Sequence, residues 1–186
     1  LMYNAAMERI LFANRPYFHP ASVDGMAERT ITIGSVSKEY RMIGWRVGWV
    51  VGPESIMDDI ARVSIYNVVT PAGISQSGAA AALKSPESDV ADAVSECERR
   101  HDTVVKQLHD LPVISAAGGW SLLINVKEMG YDSFTASQRL LEHGKIAATP
   151  MRDWGQVNSD QFVRFVFSNE SVERLSTLRD RVLQSL

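Results

Sequence analysis

Residues 30–53, TITIGSVSKEYRMIGWRVGWVVGP, decide how this chain is read. The run Thr30, Ile31, Thr32, Ile33 has the β-branched composition of a short strand. A second strand is expected over 46–51, RVGWVV, stopped by Gly52 and Pro53. Between them lies a compact turn with Ser35, Ser37 and Lys38, and Arg46 opens the second strand. Gly34, Gly44 and Gly48 permit close backbone approach around this turn. A lysine that forms a Schiff base with an aldehyde must be held against it, partly desolvated, near positive or neutral groups that lower its pKa. A phosphate on the same molecule needs several charge-assisted hydrogen bonds in a small volume. An arginine fork with serine hydroxyls supplies them.

Working outward, residues 14–25, NRPYFHPASVDG, read as loop with one helical turn. Pro53 and Glu54 start an amphipathic helix to about Tyr66, with Ile56, Ile60, Val63 and Ile65 as its apolar positions. A small-residue helix follows over 74–84, its alanines suited to close packing. SPESD at 85–89 is a break and an N-cap signal together, and a long charged helix is expected over 89–109. Beyond Pro112 short strands (120–126, 145–148, 162–167) alternate with helices (133–143, 172–186), the pattern of a separate α+β lobe. The expected division is therefore 1–84, a connecting helix over 85–111, and 112–186. There is no internal repeat and no low-complexity segment.

The 186 residues are 45% apolar and 22% charged, the balance of a globular protein. Net charge is −3, so no basic field exists of the kind that holds nucleic acid phosphates. No run of about 18 apolar residues is present, which argues against a transmembrane helix. The first residues lack a basic start and a small-residue cleavage site and so do not read as a signal peptide. The single Cys97 has neither a disulfide partner nor a second metal ligand, and reads as a half-buried helix residue in a reducing, cytoplasmic setting. Leu1 runs straight into an apolar segment, from which we expect a chain cut from something longer.

The run S-x-S-K, five residues, then G-W-R-x-G-W resembles the signature of the fold-type I, pyridoxal phosphate (PLP) dependent aminotransferases of class I and II. The resemblance implies an α/β fold: part of the large PLP-binding domain plus a C-terminal α+β small domain. It implies that Lys38 carries the Schiff base and shuttles the proton, and that Ser35 and Arg46 bind the cofactor phosphate, with Ser37 lining the same turn. Further matches are Gly118-Gly119-Trp120 before SLLINV, the loop TPMRDWG at 149–155, and the strand FVRFVFS, whose Arg164 stands where the family binds the substrate carboxylate. A guanidinium grips an α-carboxylate with two parallel bonds, which fixes the Cα–H bond over the cofactor plane. The loop NVVTPAGISQ lacks the second arginine of the dicarboxylate-specific members, so a preference for acidic side chains is not expected. Arg152, in place of the family's small glycine, reads as a solvated loop charge.

Family members are about twice as long, and the resemblance implies a homodimer acting on an amino acid and a 2-oxo acid. It places Tyr3 where a tyrosine bonds the 3′-oxygen of the cofactor, three residues after an aspartate on the ring nitrogen. Read alone, Tyr3 is equally an ordinary buried aromatic. These residues by themselves are expected to be poor catalysts and to expose sheet and helix surfaces that the rest of the enzyme covers. Two other readings of the same scaffold stay open: a PLP-dependent lyase or decarboxylase, and the non-catalytic sensor domain of a MocR-type regulator.

Overall fold

The chain opens on strand β1 (Met2–Asn4), which pairs in parallel with β2 (Ile31–Ser35), Tyr3 opposite Thr32. β3 (Gly48–Val51) runs antiparallel to β2, with Gly34 opposite Trp49 and Ser35 opposite Gly48, giving the sheet order β1-β2-β3. The computed structural model describes residues 1–186. They form two units, Leu1–Val94 and Ser95–Leu186, and the division falls within one helix, α3 below.

In the first unit, β3 begins at Gly48 rather than Arg46, because Arg46 takes a left-handed conformation (φ 55°, ψ 46°) that closes the turn and cannot join a strand. The glycines here serve close approach. A Cβ on Gly48 would lie 2.7 Å from the Gly34 carbonyl oxygen, and one on Gly34 would lie 2.2 Å from the Trp49 ring. Helix α1 (Glu54–Val68) follows, with Pro53 just outside its first turn. It ends at Val69, whose N–H donates to the Ile65 carbonyl at 3.0 Å. None of its residues is buried, and Val63, Ile65 and Tyr66 (90% exposed) face solvent. The apolar positions read from the sequence are real, but no residue of this chain covers the last two turns. Helix α2 (Gly73–Leu83) buries Ala79, and a Cβ on Gly78 would lie 2.3 Å from the Trp45 ring, so small residues bring this helix onto Trp45. Helix α3 (Glu87–Gln107) is the long charged helix expected over 89–109.

The second unit is built on strands β4 (Val113–Ile114), β5 (Ser121–Asn125), β6 (Thr149–Pro150) and β7 (Phe162–Val166), in the order β4-β5-β7-β6 with every neighbour antiparallel. Alternation is clean: Leu122 and Ile124 of β5, and Val163 and Phe165 of β7, point into the core. Helix α4 (Ser133–Glu142) packs on β6 and β7, its first turn capped by Asp132, which accepts from the Phe134 and Thr135 N–H groups. Val104, Leu108, Ala136, Leu140, Phe167 and Val182 complete this core.

Two expectations here are corrected. Residues 145–148 form no strand: Lys145 has φ 53°, and the Gly144 and Lys145 carbonyls accept from Arg181, so pairing starts only at Thr149. The helix expected over 172–186 is two short ones, α5 (Val172–Leu175) and α6 (Leu178–Leu183). Ser176 and Thr177 hydroxyls donate to the Val172 and Arg174 carbonyls at 2.8 and 3.0 Å, competing with the backbone ladder where the helix breaks. Strand β4 was not foreseen, since two residues carry no periodicity.

Candidate functional site

Strand β2 ends on Ser35, and the chain turns at once. The Ser35 hydroxyl accepts from the Ser37 N–H at 3.0 Å and lies 2.8 Å from the Ser37 hydroxyl, with the Val47 carbonyl 3.3 Å away as a second acceptor. Val36 between them is fully buried and turns its side chain into the body of the unit. Lys38 is half-buried, and its carbonyl accepts from the Arg41 N–H at 3.1 Å.

The next residue, Glu39, is buried (8% exposed) and pinned by Arg9. The Arg9 backbone N–H reaches one carboxylate oxygen at 2.9 Å, its Nε reaches the other at 2.7 Å, and its Nη2 donates to Tyr40 Oη at 2.8 Å. Burial works against the Arg9 charge, but Glu39 and Tyr40 outweigh it and raise its pKa. The turn bearing Lys38 is thus bolted down on its far side by a residue some thirty positions earlier. Nothing in the local sequence signals that pair.

Arg46 is exposed, and its Nη1 donates to the Ile43 carbonyl at 2.7 Å. Ser35, Ser37 and Arg46 together line one cavity of about 540 Å³, with Gly48, Met57 and Ser64 among its other walls. Two hydroxyls and a guanidinium on one concave surface are the donor set a phosphate dianion requires, so the residues present fit the phosphate end of pyridoxal phosphate. Lys38 is not a wall of that cavity; it sits one residue past Ser37 on the same turn.

Tyr3 stands apart from this cavity. Its ring meets His19 edge-on, with centroids 5.2 Å apart, and burial followed by the Glu8 carboxylate pushes its phenol up from the ordinary value. A larger hollow of about 800 Å³ in the same unit is lined by Glu8, His19, Thr30, Thr32 and Glu39 and borders Ser35 on its other side. Glu8 Oε2 and Thr30 Oγ1 are buried there without a partner.

Arg164 belongs to the second unit. It lies on β7 opposite Leu123 of β5 and Thr149 of β6. Its guanidinium carbon sits 4.5 Å from the centroid of the Trp154 ring, and its Nε is buried without an acceptor. Trp154 had no assigned role in the sequence; the signal that points to it is its place in the loop just before the Arg164 strand. Arg152 does not stand free: its Nε is 3.9 Å from an Asp160 oxygen and its guanidinium lies over the Phe134 ring at 5.6 Å. No helix is long and apolar enough to cross a membrane, and no group of three or more His, Cys, Asp or Glu residues is placed to hold a metal ion.

The sequence profile of the family described as aminotransferase class I and II matches residues 4–182. The chain is 32% identical over 166 residues to aromatic-amino-acid aminotransferase 2 of Thermococcus litoralis, which takes in 87% of this chain and 42% of that protein. It is 31% identical over 179 residues to the aspartate aminotransferase of Pyrococcus abyssi, with 94% and 46% covered. Among solved structures, the aromatic aminotransferase of Pyrococcus horikoshii superposes with a TM-score of 0.90 at 28% identity, over 97% of this chain and 49% of that one. The chain spans less than half the length of these curated relatives.

Proposed function

The chain belongs to aminotransferase class I and II, with the fold-type I architecture and the pyridoxal 5′-phosphate cofactor of that family, and from that premise we propose that its parent protein moves an amino group between an amino acid and a 2-oxo acid. The observation that carries this reading is the shared cavity of Ser35, Ser37 and Arg46, whose two serines immediately precede Lys38. Residues 1–84 then form part of the cofactor-binding domain, 85–111 connect, and 112–186 form the small domain of a cytoplasmic homodimer.

Each residue has a task. Ser35, Ser37 and Arg46 would hold the phosphate on the turn that carries Lys38. Lys38 Nζ would anchor the cofactor, and as a free amine would take the proton from the substrate Cα. Bound pyridoxal phosphate supplies an electron sink for the charge left on that carbon. Arg164 grips the α-carboxylate through paired N–H bonds and so fixes which Cα bond breaks. Tyr3 would hold the cofactor's 3′-oxygen, the place the family resemblance gives it.

The test is an amino-donor screen on the complete protein with a 2-oxo acid acceptor. Donor loss and amino product are expected in equal amounts. Lys38→Ala should abolish turnover and the label that borohydride fixes to the protein in the presence of cofactor. Release of ammonia or carbon dioxide without amino product would instead make the parent a lyase or decarboxylase, and a colourless protein with no fixed label would remove the cofactor reading altogether.

A further inference from the structure

The loop between β6 and β7, residues 151–161, is tied down on both sides of Trp154. The Met151 N–H donates to the Phe162 carbonyl at 3.1 Å, and the Trp154 N–H donates to the Met151 carbonyl at 2.9 Å. The Ser159 hydroxyl sits 2.9 Å from the Arg152 carbonyl and 2.8 Å from that of Gly155. Asp160 accepts from the Ser133 hydroxyl of α4 at 2.7 Å and draws Arg152 to the same side. This bracing holds Trp154, itself more than half exposed, with the Arg164 guanidinium carbon over its ring, 4.5 Å from the centroid.

A ring face does for an arginine what a carboxylate cannot. An acidic partner occupies the N–H edges and cancels the charge, whereas an aromatic face steadies the plane and leaves every N–H free to donate. Here Arg164 Nε is buried with no acceptor, a costly arrangement unless a ligand supplies one. We propose that Trp154 is a positioning residue for substrate binding: its indole steadies the guanidinium of Arg164 without occupying its N–H groups, which then meet the carboxylate of the incoming amino acid. This rests on the reading of Arg164 given above and adds the residue through which it is aimed.

The experiment compares Trp154→Ala, Trp154→Phe, Trp154→Leu and Arg164→Ala in the complete, cofactor-loaded protein, reading KM for the amino donor and kcat separately. Trp154→Ala is expected to raise KM by about 3- to 30-fold, the range a partly desolvated cation–π contact supplies, with a much smaller change in kcat. Trp154→Phe, which keeps a ring face, should recover most of the loss. Trp154→Leu, which keeps apolar bulk without that face, should behave like alanine. A leucine variant as good as phenylalanine would reduce Trp154 to packing and overturn the proposal. If Arg164→Ala raises KM while Trp154→Ala does not, the carboxylate role of Arg164 stands and Trp154 has none. If Arg164→Ala leaves KM unchanged, the reading of Arg164 fails first and this inference goes with it.

Discussion

The Ser35 and Ser37 hydroxyls stand 2.8 Å apart, and the Ser37 N–H points at the Ser35 oxygen from 3.0 Å. One turn of chain thereby gathers two hydroxyls and their backbone into a single cluster. The cluster is preformed, so an anion that binds there pays little for ordering it.

Ser35→Ala removes one donor and strands the Ser37 N–H. In the complete protein it is expected to weaken pyridoxal phosphate by roughly 10- to 100-fold, the value of a hydrogen bond to a charged group. Ser37→Ala should cost less, because the Ser35 hydroxyl can still reach the Val47 carbonyl and keep its place. Equilibrium dialysis against the cofactor measures both, and a Ser35→Ala affinity within twofold of the parent would take Ser35 out of the site.

Gly48→Ala tests the close approach of β2 and β3. The added methyl would meet a backbone oxygen, that of Gly34, at 2.7 Å. Backbone cannot swing aside, so a loss of about 1–3 kcal/mol in urea unfolding is expected, the usual cost of overpacking. Gly34→Ala meets the Trp49 ring instead, a side chain that is partly exposed, so its cost should be smaller. Equal losses for the two variants would contradict this account.

Asp110 reports on acid stability of the second unit. Arg179 grips it with a fork, Nη1 to one oxygen and Nη2 to the other at 2.7 Å, and this pairing lowers the carboxyl from 3.8 to about 2. A depressed carboxyl stabilises the fold above its unfolded value and loses that contribution as pH falls. The window here is therefore from about pH 4 down to about pH 2. Asp110→Asn should flatten the decline of the urea midpoint across that window and leave the decline above it unaltered. Because the pair is exposed, added salt should shrink the difference. A midpoint that falls equally in both proteins would show that the fork carries nothing.

What could be read from residue order alone is what lies close along the chain. The strand–turn–strand around Lys38 and the helices α1 to α4 follow from β-branched runs, glycines, caps and apolar spacing, each sensed within a few residues. The strand that carries Arg164 was legible from its apolar run. One failure was local in origin, since Ser176 and Thr177 capture carbonyls and split the last helix; the other was not, since Arg181 takes the carbonyls of residues 144 and 145 where a strand was expected to start.

Tertiary structure alone decided the partners. The pin from Arg9 to Glu39 spans some thirty positions, and the platform under Arg164 is a tryptophan with no periodic relation to it. It also shows that no residue of this chain covers Val63 and Ile65, although their spacing marks a side that can be buried. Periodicity states that a side can be buried, since it depends only on rise and turn per residue. Which surface, ring or charge arrives to cover that side depends on how distant segments close in space, and residue order does not carry that until the chain has folded.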